Sequence, residues 1–266
     1  MNINASRPSS RGPRRSSEQI RELLVEAGLA IIASEGLANG AEHLTFKRVF
    51  SYLKENQAVT LSHASVIKRV FDSQEDFQTE VLKSIATNGA ADLSGASLGL
   101  FADAMSDADL SSVEARTECL LNIVRVAGNF ASEVLRTSEL WKSWIGVWAL
   151  SASGNRSAAR KEIHDALRGT YREIDQSAVN FYNHALDSLG FRFRNGYTIE
   201  MFTIAASSIV EGCSLRDLVD HDSMKLIDLP TGPGGSLQSW TPQSMALAAI
   251  TQAVIEPIPD WVAPSP

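Results

Sequence analysis

Apolar residues recur at three- and four-residue steps along most of this chain, and almost nowhere do they alternate. Ile20, Leu23, Leu24, Ala27, Ala30 and Ile31 form one such stripe, the signature of an amphipathic helix rather than a strand. Helix punctuation agrees with it. Ser16 and Gln19 have the spacing of a capping box, and Gly36 stands where a glycine past the last turn ends a helix. Thr45 caps a second helix reaching to about Asn56, with Val49, Phe50 and Leu53 on its inner side. "QAVTL" is the turn, and a short third helix runs from Ser62 to Phe71. Ser73 and Asp76 open a fourth, carrying Phe77, Val81, Leu82 and Ile85 on one side.

Residues 88–112 are crowded with Gly, Ser, Ala and Asp and read as a long irregular link. Helical patterns resume over 112–135, 138–152, 155–189, 198–219 and 241–256. Ser111 with Glu114 caps the first of these, and Thr241 followed by Pro242 opens the last. "HDSMKLIDLPTGPGGSLQ" reads as a loop, its "GPGG" as a turn, and "PIPDWVAPSP" as an extended tail. The expected fold class is all-α.

Charge is unevenly placed. Residues 1–71 hold 10 Lys and Arg against 6 Asp and Glu, whereas residues 72–266 hold 14 against 25. A basic head on an acidic body suggests an anion-binding element joined to a solubilising one. The overall charge of −7 argues against a chain coated along its length in nucleic acid or anionic lipid. Cys119 and Cys213 each fall in a helical pattern with no Cys or His at metal-ligand spacing, so they read as buried thiols and not as ligands. Neither a secretory signal nor an apolar run near the ~20 residues of a bilayer span is visible. The expectation is a soluble cytoplasmic protein without metal or cofactor.

The short helix at 62–71 has two unlike sides. Val66, Ile67, Val70 and Phe71 fall together, while Ala64, Ser65, Lys68 and Arg69 face the other way and Ser62 and His63 stand at the entry. Small residues let a backbone approach closely, Ser and His can bond base edges, and Lys and Arg neutralise phosphate. Such a helix following another at a steep angle is the helix-turn-helix layout. The bland alternative is an amphipathic helix with a solvated basic edge. Upstream, residues 1–16 are rich in Ser, Arg, Pro and Gly and too polar to order themselves. They read as a basic arm in which Arg14 and Arg15 lie nearest the first helix.

This order of segments resembles the tetracycline-repressor (TetR) family of bacterial transcription regulators. The matching residues are Gly36, Thr45, the helix 46–56 and then "SHASVIKRVFDSQEDF", whose Phe71, Ser73, Glu75 and Phe77 fit the family's closing pattern. Gln74 stands where that family usually has lysine, Lys68 where it usually has a phosphate-touching tyrosine, and the turn is longer than usual. The resemblance covers about the first quarter of the chain. It implies DNA contacts from Arg14, Arg15, Thr45, Lys47, Arg48, Ser62, His63, Ser65, Lys68 and Arg69. It also implies a palindromic double-stranded operator, a bacterial, nucleoid-associated setting, and a C-terminal body that binds a small-molecule effector and forms a homodimer. Boundaries follow at 1–16 for the arm, 17–72 for the DNA-binding domain, 73–256 for the body and 257–266 for the tail.

In the body, Trp141, Trp144 and Trp148 share one helix face, with Phe130, Tyr171 and Tyr182 on neighbouring helices. Plain core packing is one explanation. The other is a cavity for an apolar or aromatic effector. His164 and His184 read as ordinary surface or core histidines. The segments 198–213 and 241–255 are apolar around much of their circumference, and a helix of that kind demands burial on more than one side. Phe202, Ala206, Ile209, Met245 and Ala249 are the expected dimer contacts, by analogy with the family's intersubunit helix bundle. No nucleophile–His–acid spacing or paired-carboxylate motif is present, so no catalytic residue is expected. A helical interaction or adaptor protein without sequence-specific DNA binding is the rival reading, and an all-helical enzyme the weakest.

Overall fold

The computed structural model describes residues 15–37, 40–61, 66, 69–89, 97–106, 108–152, 157–231 and 236–262. Among them the chain is helical, with four short strands. The helices are α1 (Ser17–Glu35), α2 (Phe46–Gln57), α3 (Gln74–Asn88), α4 (Ser97–Met105), α5 (Val113–Thr137), α6 (Glu139–Ala152), α7 (Ala158–Leu189), α8 (Ile199–Val219) and α9 (Pro242–Val254). The strands are β1 (Phe191–Phe193), β2 (Ile227–Pro230), β3 (Leu237–Trp240) and β4 (Ile255–Pro257). Two compact units result, one of residues 1–85 with 146–164, the other of residues 86–145 with 165–266.

The first unit is built as its caps and stripes require. Ser16 and Gln19 form the reciprocal capping box of α1, which ends at Gly36 with a positive φ. Thr45 caps α2 by accepting from the Arg48 amide. Phe46, Phe71 and Phe77 make a ring cluster, with centroids 5.2 Å apart for 46–77 and 5.3 Å for 71–77. Arg21 lies over Phe71 at 4.7 Å, donates to the Val70 carbonyl and pairs with Glu80. The unit therefore runs past the expected boundary at 72, because Phe77 and Val81 of α3 pack on α1 at Gly28. A Cβ on Gly28 would meet Val81 Cγ2 at 2.8 Å.

The second unit is organised around α5. One apolar cluster joins Phe101, Leu120, Ile123, Leu186, Leu189 and Phe191, and another gathers Leu121, Trp240 and Ala248. Strand β1 pairs antiparallel with β4, and β2 with β3. Trp240 Nε1 donates to the Leu229 carbonyl and staples the second pair. Arg116 is buried, and among the described residues no carboxylate pairs with it: it donates to the Leu189 and Gly190 carbonyls at the end of α7 and lies over the rings of Phe191 and Trp261.

Several expectations are corrected here. Helix α4 occupies part of the span read as an irregular link, because Phe101 finds Phe181 and His184 to pack against. Ser112, not Ser111, caps α5 by accepting from the Ala115 amide. The segment read as a loop holds a 3-10 turn at His221–Met224 followed by β2, with β3 after it, and β4 replaces the end of the last expected helix and the first residue of the tail. Gly232–Gly235, the "GPGG" segment, lies outside the described residues.

Candidate nucleic-acid interface

The candidate face in the first unit belongs to α2 and the turn after it. Phe46, Val49 and Leu53 are buried, which turns Lys47, Ser51 and Lys54 outward on the opposite side of the helix at steps of four and three. The chain leaves α2 through Ala58 in a left-handed conformation, φ 53°, and Val59 is buried with its amide bonded to the Leu53 carbonyl. This reversal brings Thr60 and Leu61 beside α2. Lys47, Phe50, Ser51, Lys54, Thr60 and Leu61 line a shallow cleft of about 370 Å³. Two ammonium groups, two hydroxyls and a partly apolar floor can seat a phosphate and the sugar beside it.

The expected DNA contacts are not all alike here. Lys47 is exposed and belongs to the cleft. Arg48 is exposed but engaged in an ion pair with Glu35 of α1. The hydroxyl of Thr45 accepts from the Arg48 amide at 3.2 Å, so it serves its own helix. Arg15 and Arg69 are exposed. Val66 and Phe71 are buried and Val70 is partly buried, but residues 69–70 form a turn, so the expected short helix does not reach Phe71. Arg14, Ser62, His63, Ser65 and Lys68 lie outside the described residues. Lys54 was missed from the sequence, although its seven-residue spacing from Lys47 is a signal that could have found it.

The six aromatic candidates fall into separate groups. Trp141 and Trp144 are buried and stacked on each other, centroids 5.1 Å apart, and Trp144 meets Tyr171 edge-on at 5.4 Å. Trp144 Nε1 donates to the Ala86 carbonyl, whereas the buried Trp141 Nε1 has no partner among the described residues. Tyr182 belongs to a separate chain of rings with Phe181 and Phe202, and burial pushes its hydroxyl up to about 12. Phe130 is partly buried, and Trp148 is exposed and belongs to the first unit. Two carboxylates escaped the sequence reading. Burial raises Glu211 and Asp175 above the usual carboxylate range, the charge of Asp175 adds to the rise at Glu211, and the neighbouring Tyr171 hydroxyl opposes it. Burial, followed by these two carboxylates, drives the Tyr171 hydroxyl upward.

The expected dimer contacts divide in the same way. Phe202 and Ala206 are enclosed by their own chain, Phe202 against Tyr182 at 5.0 Å and Phe193 at 5.6 Å. Both are buried within this chain. Ile209 is partly buried, Met245 packs on the Trp240 cluster, and Ala249 is exposed. Cys119 and Cys213 are free thiols, both raised by burial. Among the described residues no group of His, Cys, Asp and Glu is placed to hold a metal, and no helix is long and apolar enough to cross a membrane.

No protein-family model matches the chain, and no curated protein matches it in sequence. Among solved structures, the chain is similar to a Rhodococcus sp. protein named provisionally as a TetR-family transcriptional regulator. The two share 16% identity over 87% of this chain and 96% of that one, with a TM-score of 0.45. A likeness at that level assigns no function, and the residues themselves have to carry it.

Proposed function

We propose that the chain is a sequence-specific DNA-binding transcription regulator, a repressor that binds a palindromic site as a dimer and is released by a small-molecule effector. The observation that carries this is the outward face of α2. There Lys47, Ser51 and Lys54 stand in register beside Thr60, within the basic part of an otherwise acidic chain. Lys47, Lys54, Arg69 and Arg15 supply charge for phosphate. Base readout falls to His63 and Ser65, and Lys68 and Arg14 add phosphate contacts. The effector would contact the Trp141–Trp144–Tyr171 stack, and it would loosen DNA only by binding one conformation better than the other. Such a protein would work in the bacterial cytoplasm and would not be an enzyme.

Fluorescence anisotropy tests this with a duplex selected from genomic fragments and a scrambled duplex, at several salt concentrations. Each lost phosphate contact should flatten the slope of log affinity against log salt by about 0.9. Lys47→Ala with Lys54→Ala should therefore flatten it by about 1.8 per subunit on both duplexes. His63→Ala and Ser65→Ala should lower the ratio between duplexes, at a cost of about 1–3 kcal/mol per lost base contact. Absence of binding to any duplex at low salt would refute the proposal. The apolar floor of the cleft, Phe50 and Leu61, would then favour a protein-interaction module.

A further inference from the structure

Arg21 of α1 is engaged on three sides, all at the end of the segment that carries the proposed base readout. Its Nη1 donates to the Val70 carbonyl at 3.2 Å, its Nη2 pairs with Glu80 of α3 at 3.2 Å, and its Cζ lies over the Phe71 ring, 4.7 Å from the centroid. A planar, forked guanidinium can make all three contacts at once, and a lysine ammonium cannot. The Val70 carbonyl stands at the end of a turn that the Arg69 and Val70 amides close on the Val66 carbonyl, at 3.3 and 2.9 Å. A carbonyl at such an end has no partner inside its own turn, and Arg21 supplies one. A second cation steadies the arrangement. Lys83 reaches Glu80 at 3.6 Å and Glu162 of α7 at 3.1 Å. Arg21, Glu80, Lys83 and Glu162 thus alternate in charge, and each holds the next in place.

We infer that Arg21 is a positioning residue for DNA reading, acting through the Val70 carbonyl and kept aimed by Glu80 and Lys83. The inference rests on the DNA-binding reading above and adds the residue that sets where the reading segment lies. Burial of Val66 and Phe71 fixes which side of the segment faces inward. Apolar contact has no direction, however, so it leaves the segment free to slide. The bond from Arg21 to Val70 has a direction and stops that sliding. His63 and Ser65 precede Val66 by three residues and one, so a displacement of this anchor is carried to them. Hydrogen bonds to base edges weaken steeply outside about 2.7–3.2 Å, and a shift of ~1 Å is enough to lose them. Phosphate contacts carry no sequence information. A loosened segment therefore lowers affinity for the selected duplex, in proportion to the time it spends out of place, more than for a scrambled one.

Two measurements on the full-length chain test this. The first uses no DNA. Hydrogen exchange read by mass spectrometry should show the Arg69 and Val70 amides exchanging about tenfold faster in Arg21→Lys, the equivalent of one charge-assisted hydrogen bond, while the amides of α2 keep their rates. The second is anisotropy with the selected and scrambled duplexes at several salt concentrations. The affinity ratio between duplexes should fall by up to about tenfold in Arg21→Lys, with the salt slope unchanged because no phosphate contact is lost. Glu80→Gln should act in the same direction and less. The swap Arg21→Glu with Glu80→Arg should bring the melting temperature back toward the parent but not the ratio, because the Val70 carbonyl stays without its donor. Recovery of both would make the role merely structural and overturn the inference. A slope flattened by about 0.9 would make Arg21 a phosphate contact instead and also overturn it, as would an unchanged ratio in a variant whose amides exchange faster. If no duplex binds, the regulator reading fails by itself, and unchanged exchange at Arg69 and Val70 overturns the placement separately.

Discussion

Gly128 of α5 lies against Ser244 of α9, and replacing it by alanine sets two effects of known sign against each other. A Cβ there would sit 2.7 Å from Ser244 Cβ and 2.8 Å from Ser244 Cα. Ordinary carbon contact begins near 3.5 Å, so the first turn of α9 would have to retreat by about 0.7 Å. That turn is pinned. Gln243 Nε2 donates to the Gly128 carbonyl at 3.0 Å, and the Thr241 amide and Ser244 hydroxyl both donate to Asn129 Oδ1 at 2.9 Å. Retreat strains these buried bonds at about 1 kcal/mol each, within the roughly 1–3 kcal/mol that overpacking costs. Helix propensity pulls the other way by about 1 kcal/mol. The expected net effect is about 1–2 kcal/mol of destabilisation. Gly169, in the interior of α7, is the control: a Cβ there meets nothing within 4 Å, so Gly169→Ala should stabilise by about 0.5–1 kcal/mol. Urea denaturation followed by far-UV circular dichroism, at equal m-value, separates the two. If Gly128→Ala stabilises as much as Gly169→Ala, propensity alone decides and the close approach of α5 to α9 is wrong.

Three further outcomes can be measured. Ala58→Gly should raise the melting temperature, because Ala58 holds φ 53° at the end of α2 and a left-handed alanine costs about 1–2 kcal/mol; an unchanged or lower value contradicts this. Phe202→Asp should lose near-ultraviolet dichroism, since it puts a charge between Tyr182 and Phe193, whereas Ile204→Asp should keep the fold; an intact Phe202→Asp subunit would refute its placement. Glu211→Gln should stabilise at neutral pH. Burial raises the folded carboxyl above its unfolded value, so the stability it contributes is fully present below the ordinary carboxylate range and is lost as pH rises through the raised value. The gain from glutamine should therefore fade toward pH 4, and a gain equal at both ends of the range refutes the cause.

Most helices were legible because their signals are local. The capping box of Ser16 and Gln19 and the Thr241–Pro242 start each lie within four residues, and the structure has both. The strands were not legible, because three or four residues are too few for a two-residue period to stand out; β1 and β4 pair because the chain leaving α7 meets the chain leaving α9 running the other way. Helix α4 hid in a Gly- and Ala-rich stretch that only a distant partner, Phe181, makes worth folding. Glu211 and Tyr171, which shift each other's titration, are forty residues apart, and no spacing rule reaches that far. In the first unit the exposed lysines of α2 were visible as charge, but the Glu35 partner of Arg48, which takes that arginine out of the free set, was not.

Helix α8 shows most sharply where a sequence stops being decisive. Its apolar surplus was plain, and so was the need for burial on two sides. Which side turned inward was not, because Met201 and Phe202 are neighbours in sequence and stand about 100° apart on the helix. Aromatic contact settles it. Phe202 finds Tyr182 edge-on and Phe193 tilted against it, and such pairs add about 0.5–1.5 kcal/mol beyond the area they bury. Met201 and Ile204 stay more than half exposed. The larger aromatic residue thus goes to the core of its own subunit, and the flexible and branched aliphatic ones are left to face outward.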